Sequence, residues 1–445
     1  MFDEQACTQC GICLHKCPFM ELPLTEAKEE IVRAIAGSPS QRLLESCASC
    51  LACTELCPQG NDPYDLILSL LEKRYRATGM PRKGGVLLPY LQPNLWSYVQ
   101  ARLPADEKQL LTDWESPCEA DEILFPGCNT SLLPFITQTK LLDGMKIHGS
   151  QKLCCGTYYY QMGFMDATKE IAERLQTHFK KMGLQRMVTF CAGCNYMFGR
   201  FHPEKLGVDH GFEVVHLLEV LRERIDSGKI KITNSLSGTA AVHDPCFFRP
   251  YNDKFYDLAR DLLSMLGLTP VEMRHNRKTS LCCGLGCGCT TFEVERMAKV
   301  AHRRVEEGLA TRADIFVTFC TGCTHMLSTA KRLWPDSQPL HYFLELLQKA
   351  TGEQPVARER ERADDFITAT ALYKCASYMG RFHGRMWLEP IAANPNQFPQ
   401  WKDRIALLKP LEPLIAAKFL RPVLLTFFKG VIGAKGMFSK AQKVE

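Results

Sequence analysis

The chemistry open to this chain lies in its thiols. Cysteine accounts for 22 of 445 residues, and 18 of these fall into two repeated patterns. The first is Cys7-x2-Cys10-x2-Cys13-x3-Cys17-Pro18, which recurs as Cys47-x2-Cys50-x2-Cys53-x3-Cys57-Pro58. The second is a lone cysteine, a Cys-Cys-Gly and a Cys-x2-Cys: Cys128, Cys154-Cys155-Gly156, then Cys191 and Cys194. It recurs as Cys246, Cys282-Cys283-Gly284, then Cys320 and Cys323. Thiolates at this density and regularity imply iron–sulfur clusters, and hence a chain that moves electrons.

In the first pattern, cysteines at i, i+3 and i+6 wrap a short loop around one face of a cube. Where two clusters are present, the fourth ligand comes from the partner run. The expectation is Cys7, Cys10, Cys13 and Cys57 on one [4Fe-4S] cubane cluster, and Cys47, Cys50, Cys53 and Cys17 on the other. The proline after each fourth cysteine turns the chain away. A pair of four-thiolate zinc sites is the alternative, but a four-cysteine run ending in proline, twice over, fits iron–sulfur chemistry better.

Helices are expected to position these loops. Residues 24–44 read as helical with a break near Gly37-Ser38-Pro39, and Ile31, Ile35, Leu43 and Leu44 are the apolar contacts. A further helix over 64–75 carries Ile67, Leu70 and Leu71 as a stripe. A helical linker of about 30 residues between the runs resembles the α-helical ferredoxin type, predicted here to span residues 1–78. Residues 79–120 hold two glycines in succession, five prolines, Trp96 and Trp114. They read as an irregular connector that packs across domains, because its aromatics need burial.

The second pattern marks a duplication, predicted over 121–237 and 238–350. Val188-Thr189-Phe190-Cys191-Ala192-Gly193-Cys194 matches Val317-Thr318-Phe319-Cys320-Thr321-Gly322-Cys323 at all positions but one. His216-Leu217-Leu218-Glu219 answers His341-Tyr342-Phe343-Leu344-Glu345. Each copy alternates strand and helix. Ile123-Leu124-Phe125 and Ala240-Ala241-Val242 are strands ending just before a lone cysteine. Helices follow near 164–182 (Ile171, Leu175, Phe179) and 292–309 (Met297, Val300, Val305). Strands over 188–190 and 316–319 then deliver the Cys-x2-Cys pairs to the crevice at strand ends where α/β sheets bind ligands.

This order of motifs resembles the cysteine-rich, or CCG, domain proteins. These include heterodisulfide reductases, the iron–sulfur subunits of glycolate, lactate and anaerobic glycerol-3-phosphate dehydrogenases, and a component of the dissimilatory sulfite-reductase membrane complex. The likeness covers residues 1–350, and a helical ferredoxin followed by two CCG units is similar to the fused catalytic subunit of membrane-linked heterodisulfide reductase. It implies that five cysteines per unit hold a non-cubane [4Fe-4S] cluster, and that a disulfide is split between the paired clusters. Carried over, Cys128, Cys154, Cys155, Cys191 and Cys194 would hold one cluster. Cys246, Cys282, Cys283, Cys320 and Cys323 would hold the other, giving one or two clusters beyond the cubane pair. A zinc ion in one unit stays open, since five thiolates satisfy a tetrahedral ion with one left over.

The copies differ after the Cys-Cys-Gly. The first has Thr157-Tyr158-Tyr159-Tyr160, which either lines a cleft, faces a partner or packs between the copies. The second has Leu285-Gly286-Cys287-Gly288-Cys289, whose cysteines are either spare ligands or small neighbours of the cluster. Cys118 and Cys375 read as buried thiols. His243, beside Cys246, is either a proton donor to a thiolate or a histidine bonding the backbone at a strand end. His216 and His341 recur at matching positions, which favours a shared structural role.

Composition narrows the class. Hydrophobic content of 46% and charged content of 23% suit a globular protein, and 445 residues suit several domains. Motif-spaced cysteines starting at Cys7, with no basic and apolar leader before them, point to a reducing cytoplasmic compartment. The net charge of +5 sits in residues 351–445, where 15 Lys/Arg face 9 Asp/Glu. There, 358–365 reads as a solvated helix face or linker. Residues 404–440, with seven basic residues, one acidic residue and no uncharged run long enough to span a bilayer, read as a basic helical extension. It would dock a partner subunit, cover the chain's own domains, or lie on the inner membrane face. No aromatic-rich basic motif suggests nucleic acid. No Gly-x-Gly-x2-Gly follows a strand, so any flavin belongs to a partner.

The fold expected is therefore a multidomain α+β and α/β chain: an α-helical ferredoxin, duplicated α/β CCG domains and a helical C-terminal tail. The function expected is the iron–sulfur subunit of an anaerobic oxidoreductase complex, reducing or forming a disulfide. The alternative is an electron relay between a flavoprotein dehydrogenase and a membrane quinone-reactive subunit.

Overall fold

The computed structural model describes residues 2–91, 94–378 and 384–388, with positions 423, 426 and 430. Its N-terminal part is helical. Helix Leu24–Ile35 buries Ala27, Ile31 and Ala34 at helical spacing, and the chain breaks at the expected place before helix Gln41–Ser46. Buried Glu30 accepts from the Ser40 amide at 2.7 Å and pins that break, while Ser40 Oγ caps the next helix by accepting from the Leu43 amide. Helix Pro63–Thr78 opens with proline at its first position and an Asp62 cap, and lays Ile67, Leu70 and Leu71 into the core.

The connector is less irregular than predicted. It contains helices Leu95–Gln100 and Ala105–Glu115, and Trp96 and Trp114 are both buried. Asn94 builds a capping box with Ser97, and its amide nitrogen also holds the carbonyls of Pro89 and Leu91.

Each cysteine-rich unit is built on a parallel sheet, as alternating strands and helices require. In the first, strands Glu122–Phe125, Arg186–Thr189 and Glu213–His216 pair in that order. In the second the order is Thr269–Val271, Thr239–His243, Ile315–Thr318, Leu340–Tyr342. The first unit keeps a vestige of that extra edge strand, a single parallel bridge between Leu124 and Ile147. Helices Met165–Met182 and Val294–Ala310 cover the sheets, burying Ile171, Leu175 and Phe179 in one and Met297 and Val305 in the other. Val300 is only half-buried. One continuous hydrophobic core runs through the ferredoxin part, the connector and both units.

The repeat tails align differently from the sequence match. Thr189 pairs with His216, and Thr318 pairs with Tyr342, not His341. Glu219 and Glu345 reach back to the amides of His216 and Tyr342 in equivalent capping boxes. His216 and Tyr342 are therefore the structural equivalents, and His341 instead contacts Glu345 at 2.8 Å.

Beyond the repeats, helix Glu359–Tyr378 packs on helices Thr321–Leu333 and Leu95–Gln100. The solvated reading of 358–365 is overturned there: Arg362, Ala363, Asp364 and Asp365 are buried. Asp364 accepts from Arg332 at 2.7 Å, and Arg358 reaches Asp106 and Glu107 at 2.8 Å each. Met80–Pro81 pairs antiparallel with Arg385–Met386. Among the described residues, no helix is long and apolar enough to cross a membrane. The basic segment 404–440 and the side chain of Cys375 lie outside what is described, apart from positions 423, 426 and 430.

Candidate iron–sulfur centre

Both ferredoxin-type runs curl in the same way. Gln9 and Gly11 in the first, and Ser49 and Leu51 in the second, all take left-handed φ between 54° and 71°. Short helices Ile12–His15 and Ala52–Glu55 follow each curl. Three of these four residues carry a Cβ that disfavours the conformation, and such strain persists where surrounding structure enforces it, commonly at functional sites. The curls turn backbone amides inward, as at Ser49, whose N–H donates to Cys47 Sγ at 3.3 Å.

The fourth cysteine of each run lies near thiols of the other run. The thiols facing Cys13 are Cys57, Cys10 and Cys7, and those facing Cys53 are Cys47, Cys17, Cys13 and Cys50. Burial pushes the Cys13 and Cys47 thiols up to about 12 and Cys50 to about 11, with neighbouring thiols adding to the rise at each. At Cys50 the nearby Arg249 pulls the other way. Cys7, Cys10 and Cys57 are only partly buried, whereas Cys17, Cys47, Cys50 and Cys53 are interior.

The ten cysteines of the repeats meet in one place. Cys128, Cys155, Cys191, Cys194, Cys246, Cys282, Cys283, Cys320 and Cys323 line a single cavity between the two units. Cys154, the tenth, lies behind Cys128 with their sulfurs 3.6 Å apart. Cys194 donates to Cys155 at 3.5 Å, and Cys191 meets Cys320 of the other unit at 3.9 Å. The strands explain this convergence. Cys191 and Cys320 are the N-cap residues that follow strands Arg186–Thr189 and Ile315–Thr318. Gly127 sits at φ +69°, and a Cβ there would lie 2.7 Å from Cys194 Sγ, so only glycine lets this turn pass the sulfur.

The sulfurs are not equivalent. Donors from Cys246 and Cys283, helped by the amides of Gly284 and Gly286, pull Cys282 well below the usual thiol range. Donors from Cys191 and Cys323 do the same to Cys320. At Cys155, burial acts upward but is outweighed by Cys154, Cys194 and Thr157. The remaining cavity side chains are Asn129, Thr157, Tyr158, Gln161, Phe247 and Leu285, with no charged group among them.

Iron–sulfur clusters fit this arrangement. Nine of the ten thiols face one space with Cys154 directly behind Cys128, and the Gly284 amide donates to Cys282 Sγ at 3.4 Å. The zinc expectation gains no support.

The other candidates sort clearly. Tyr158 lines the cavity, its hydroxyl donating to Asn129 Oδ1 at 2.7 Å, and its ring stands on Trp96. Tyr159 packs against Tyr90 of the connector, and Tyr160 against Tyr64 of the ferredoxin part. The aromatic loop therefore joins three parts of the chain, and its helix Thr157–Gln161 also packs against helix Cys287–Thr291 of the second repeat, as one of the sequence readings expected. Cys287 and Cys289 are fully buried but stand outside the cavity lining; Cys287 Sγ donates to the Gly284 carbonyl at 2.8 Å. Cys118 is half-exposed, contrary to expectation. His243 lies off the cavity, accepts from Arg304 Nε at 3.0 Å, and is held neutral by burial, then by Arg304 and Arg249. That geometry fits no proton donor. Sequence reasoning missed Gln161, which bonds the Ser49 carbonyl at 2.9 Å, and Arg249, fully buried beside Cys50.

Comparison with known proteins agrees with this anatomy. Residues 1–59 match the 4Fe-4S dicluster domain, and residues 124–199 and 240–328 match the cysteine-rich domain CCG. One polypeptide of the dihydromethanophenazine:CoB–CoM heterodisulfide reductase of Methanosarcina mazei is 27% identical over 79% of this chain and 95% of its own length. The probable iron-sulfur-binding oxidoreductase FadF of Bacillus subtilis is 27% identical over 63% of this chain and 42% of its own length. The EtfAB:quinone oxidoreductase of Syntrophomonas wolfei is 22% identical over 68% of this chain and 45% of its own length. The chain is an iron–sulfur redox protein that resembles the CCG-domain family, with a ferredoxin-type dicluster domain joined to two cysteine-rich domains.

Proposed function

We propose that this chain is the iron–sulfur subunit of a redox complex that reduces or forms a disulfide in the cavity between its two cysteine-rich units. The carrying observation is the convergence of both five-cysteine sets on one space, with Cys191 and Cys320 meeting across the repeat boundary at 3.9 Å. Clusters held by Cys128, Cys154, Cys155, Cys191 and Cys194, and by Cys246, Cys282, Cys283, Cys320 and Cys323, would supply single electrons from two sides to one sulfur pair. Reduction consumes two electrons and two protons and yields two thiols. The chain's own residues enclose the pair: Phe247 and Leu285 exclude water, while Tyr158 and Asn129 hold each other in place at the wall.

The ferredoxin-type runs form the supply line. The set of Cys7, Cys10, Cys13 and Cys57, of which all but Cys13 are partly exposed, would face partners, and the interior set of Cys17, Cys47, Cys50 and Cys53 would adjoin the second unit. The test is low-temperature EPR on anaerobically purified protein before and after adding a disulfide or its thiol. A thiol-dependent signal unlike that of a cubane cluster supports the proposal, and unaltered cubane signals contradict it.

A second reading is an electron relay between a flavoprotein and a quinone-reactive partner, favoured by the likeness to the EtfAB:quinone oxidoreductase. Quinone-linked turnover with a flavoprotein, indifferent to thiols, would establish it instead.

A further inference from the structure

A fully buried cation lies between the interior ferredoxin-type run and the second cysteine-rich unit. Arg249 is 0% exposed and sits in the turn Cys246–Tyr251, which opens at a candidate ligand. Its Nε donates to the Lys278 carbonyl at 2.8 Å, and its two terminal nitrogens donate to the carbonyls of Ser280 and Cys50. Carbonyls orient a guanidinium without neutralising it. The other buried arginines nearby have carboxylates: Arg260 forks onto Asp244 at 2.8 and 3.0 Å, and Arg304 reaches Glu307 at 2.7 Å. The groups facing Arg249 are instead the thiols of Cys50, Cys246 and Cys282 and the phenol of Tyr256, with the half-buried Glu55 carboxylate farther out and not hydrogen-bonded to it.

The junction is close-packed. A Cβ on Gly286 would lie 2.8 Å from the Ala48 carbonyl, and Thr290 Oγ1 donates to the Cys47 carbonyl at 2.6 Å. Arg249 itself spans the junction, bonding the Cys50 carbonyl on one side and the carbonyl of Ser280, two residues before Cys282, on the other. A fully buried cation hydrogen-bonded only to carbonyls is strongly unfavourable, and the Cys50, Cys246 and Cys282 sulfurs stand where a bound anionic group would offset it.

We infer that Arg249 sets the redox potential of this junction, favouring the electron-rich state of the clusters held at Cys50 and at Cys282. Each added electron deepens the negative charge of a thiolate-bound cluster, and a fixed cation in a low-dielectric interior stabilises that form. Electrons arriving at the outer set are thereby drawn inward to the second unit. Arg249 is a positioning and tuning residue rather than a catalytic one, and its role rests on the cluster assignments of the proposed function.

The experiment is a mediated reductive titration of the full-length chain, purified without oxygen and followed by EPR. Arg249→Gln keeps donors for two of the carbonyls but loses the charge. It is expected to lower the midpoint of the junction clusters while moving the outer cluster far less. Arg249→Lys keeps the charge and is expected to stay near the parent. Tyr256→Glu leaves the guanidinium in place and adds a carboxylate to the same chamber, so it is expected to shift the midpoint in the same direction as Arg249→Gln. It decides the matter if Arg249→Gln does not hold iron. Unchanged midpoints in iron-loaded Arg249→Gln, or in Tyr256→Glu where it decides, overturn the inference. So does loss of iron from all three variants, which would mark a purely structural residue. A parent protein without iron–sulfur signals would instead overturn the functional proposal beneath it.

Discussion

At the scale of single residues, the nearness of each fourth cysteine to the other run's thiols gives a sharp expectation, an exchange of fourth ligands. Cys57 faces Cys13 across the runs, and Cys17 faces Cys47 and Cys53. Cys57→Ser should therefore remove the cubane signal of the first run, and Cys17→Ser that of the second, as read by EPR together with iron content. The opposite assignment, with each run losing its own cluster, would refute the exchange. A second expectation concerns Asp244, which is buried, accepts both terminal nitrogens of Arg260, and also accepts the Arg277 amide at 2.7 Å. Asp244→Ala leaves Arg260 with the half-exposed Glu272 as its remaining carboxylate beside the Tyr256 carbonyl, and should cost about 3–5 kcal/mol of stability in denaturation experiments. The cysteine pattern was fully legible in the sequence because ligand spacing is rigid. Arg249 was not, because a lone arginine after Phe247-Phe248 carries no periodic signal, and its carbonyl partners lie 29 to 199 positions away.

At the scale of elements, the helices flanking the clusters and sheets were legible from their apolar stripes and two strands of each sheet from short hydrophobic runs, whereas the proline-rich connector hid helices Leu95–Gln100 and Ala105–Glu115. The strands Glu213–His216, Thr269–Val271 and Leu340–Tyr342 were not, being three or four residues long with little alternation to read. The repeat tails were aligned on histidine, whereas the fold aligns them on the capping glutamates Glu219 and Glu345, since a cap obeys geometry and histidine has no fixed place. The charge-rich start of helix Glu359–Tyr378 looked solvated because its partners, Glu107 and Arg332, come from distant segments.

That helix carries a pH dependence. Burial, then the neighbouring Glu345, raises Glu359 from the ordinary 4.5 to about 8. The folded state thus keeps a proton that the unfolded chain loses above 4.5, so stability falls as pH rises from there through about 8. Glu359→Gln should leave the melting temperature near that of the parent at about pH 4–5 and raise it most above about pH 8. A gain independent of pH would contradict the assignment. In the first unit, Gly127→Ala combines a left-handed φ with a Cβ only 2.7 Å from Cys194 Sγ. It should displace that sulfur and reduce iron retention in the cysteine-rich part, while leaving both ferredoxin-type signals intact.

At the scale of the whole molecule, duplication supplies the essential geometry. Two parallel sheets each deliver a Cys-x2-Cys at a strand end, and the units oppose each other so that both sets look into one cavity. The N-terminal domain docks its interior run against the second unit through Arg249, Thr290 and Arg296, which donates to the Ser46 carbonyl at 2.6 Å. Gln161 ties the first unit to the same run through Ser49. The eighteen cysteines are proposed to hold iron and sulfide as a connected line ending in a paired centre. Metal and acid-labile sulfide analysis of anaerobically purified protein tests it most directly. About sixteen iron and sixteen sulfide per chain are expected for four [4Fe-4S] clusters. Zinc in place of iron, with almost no sulfide, would contradict it.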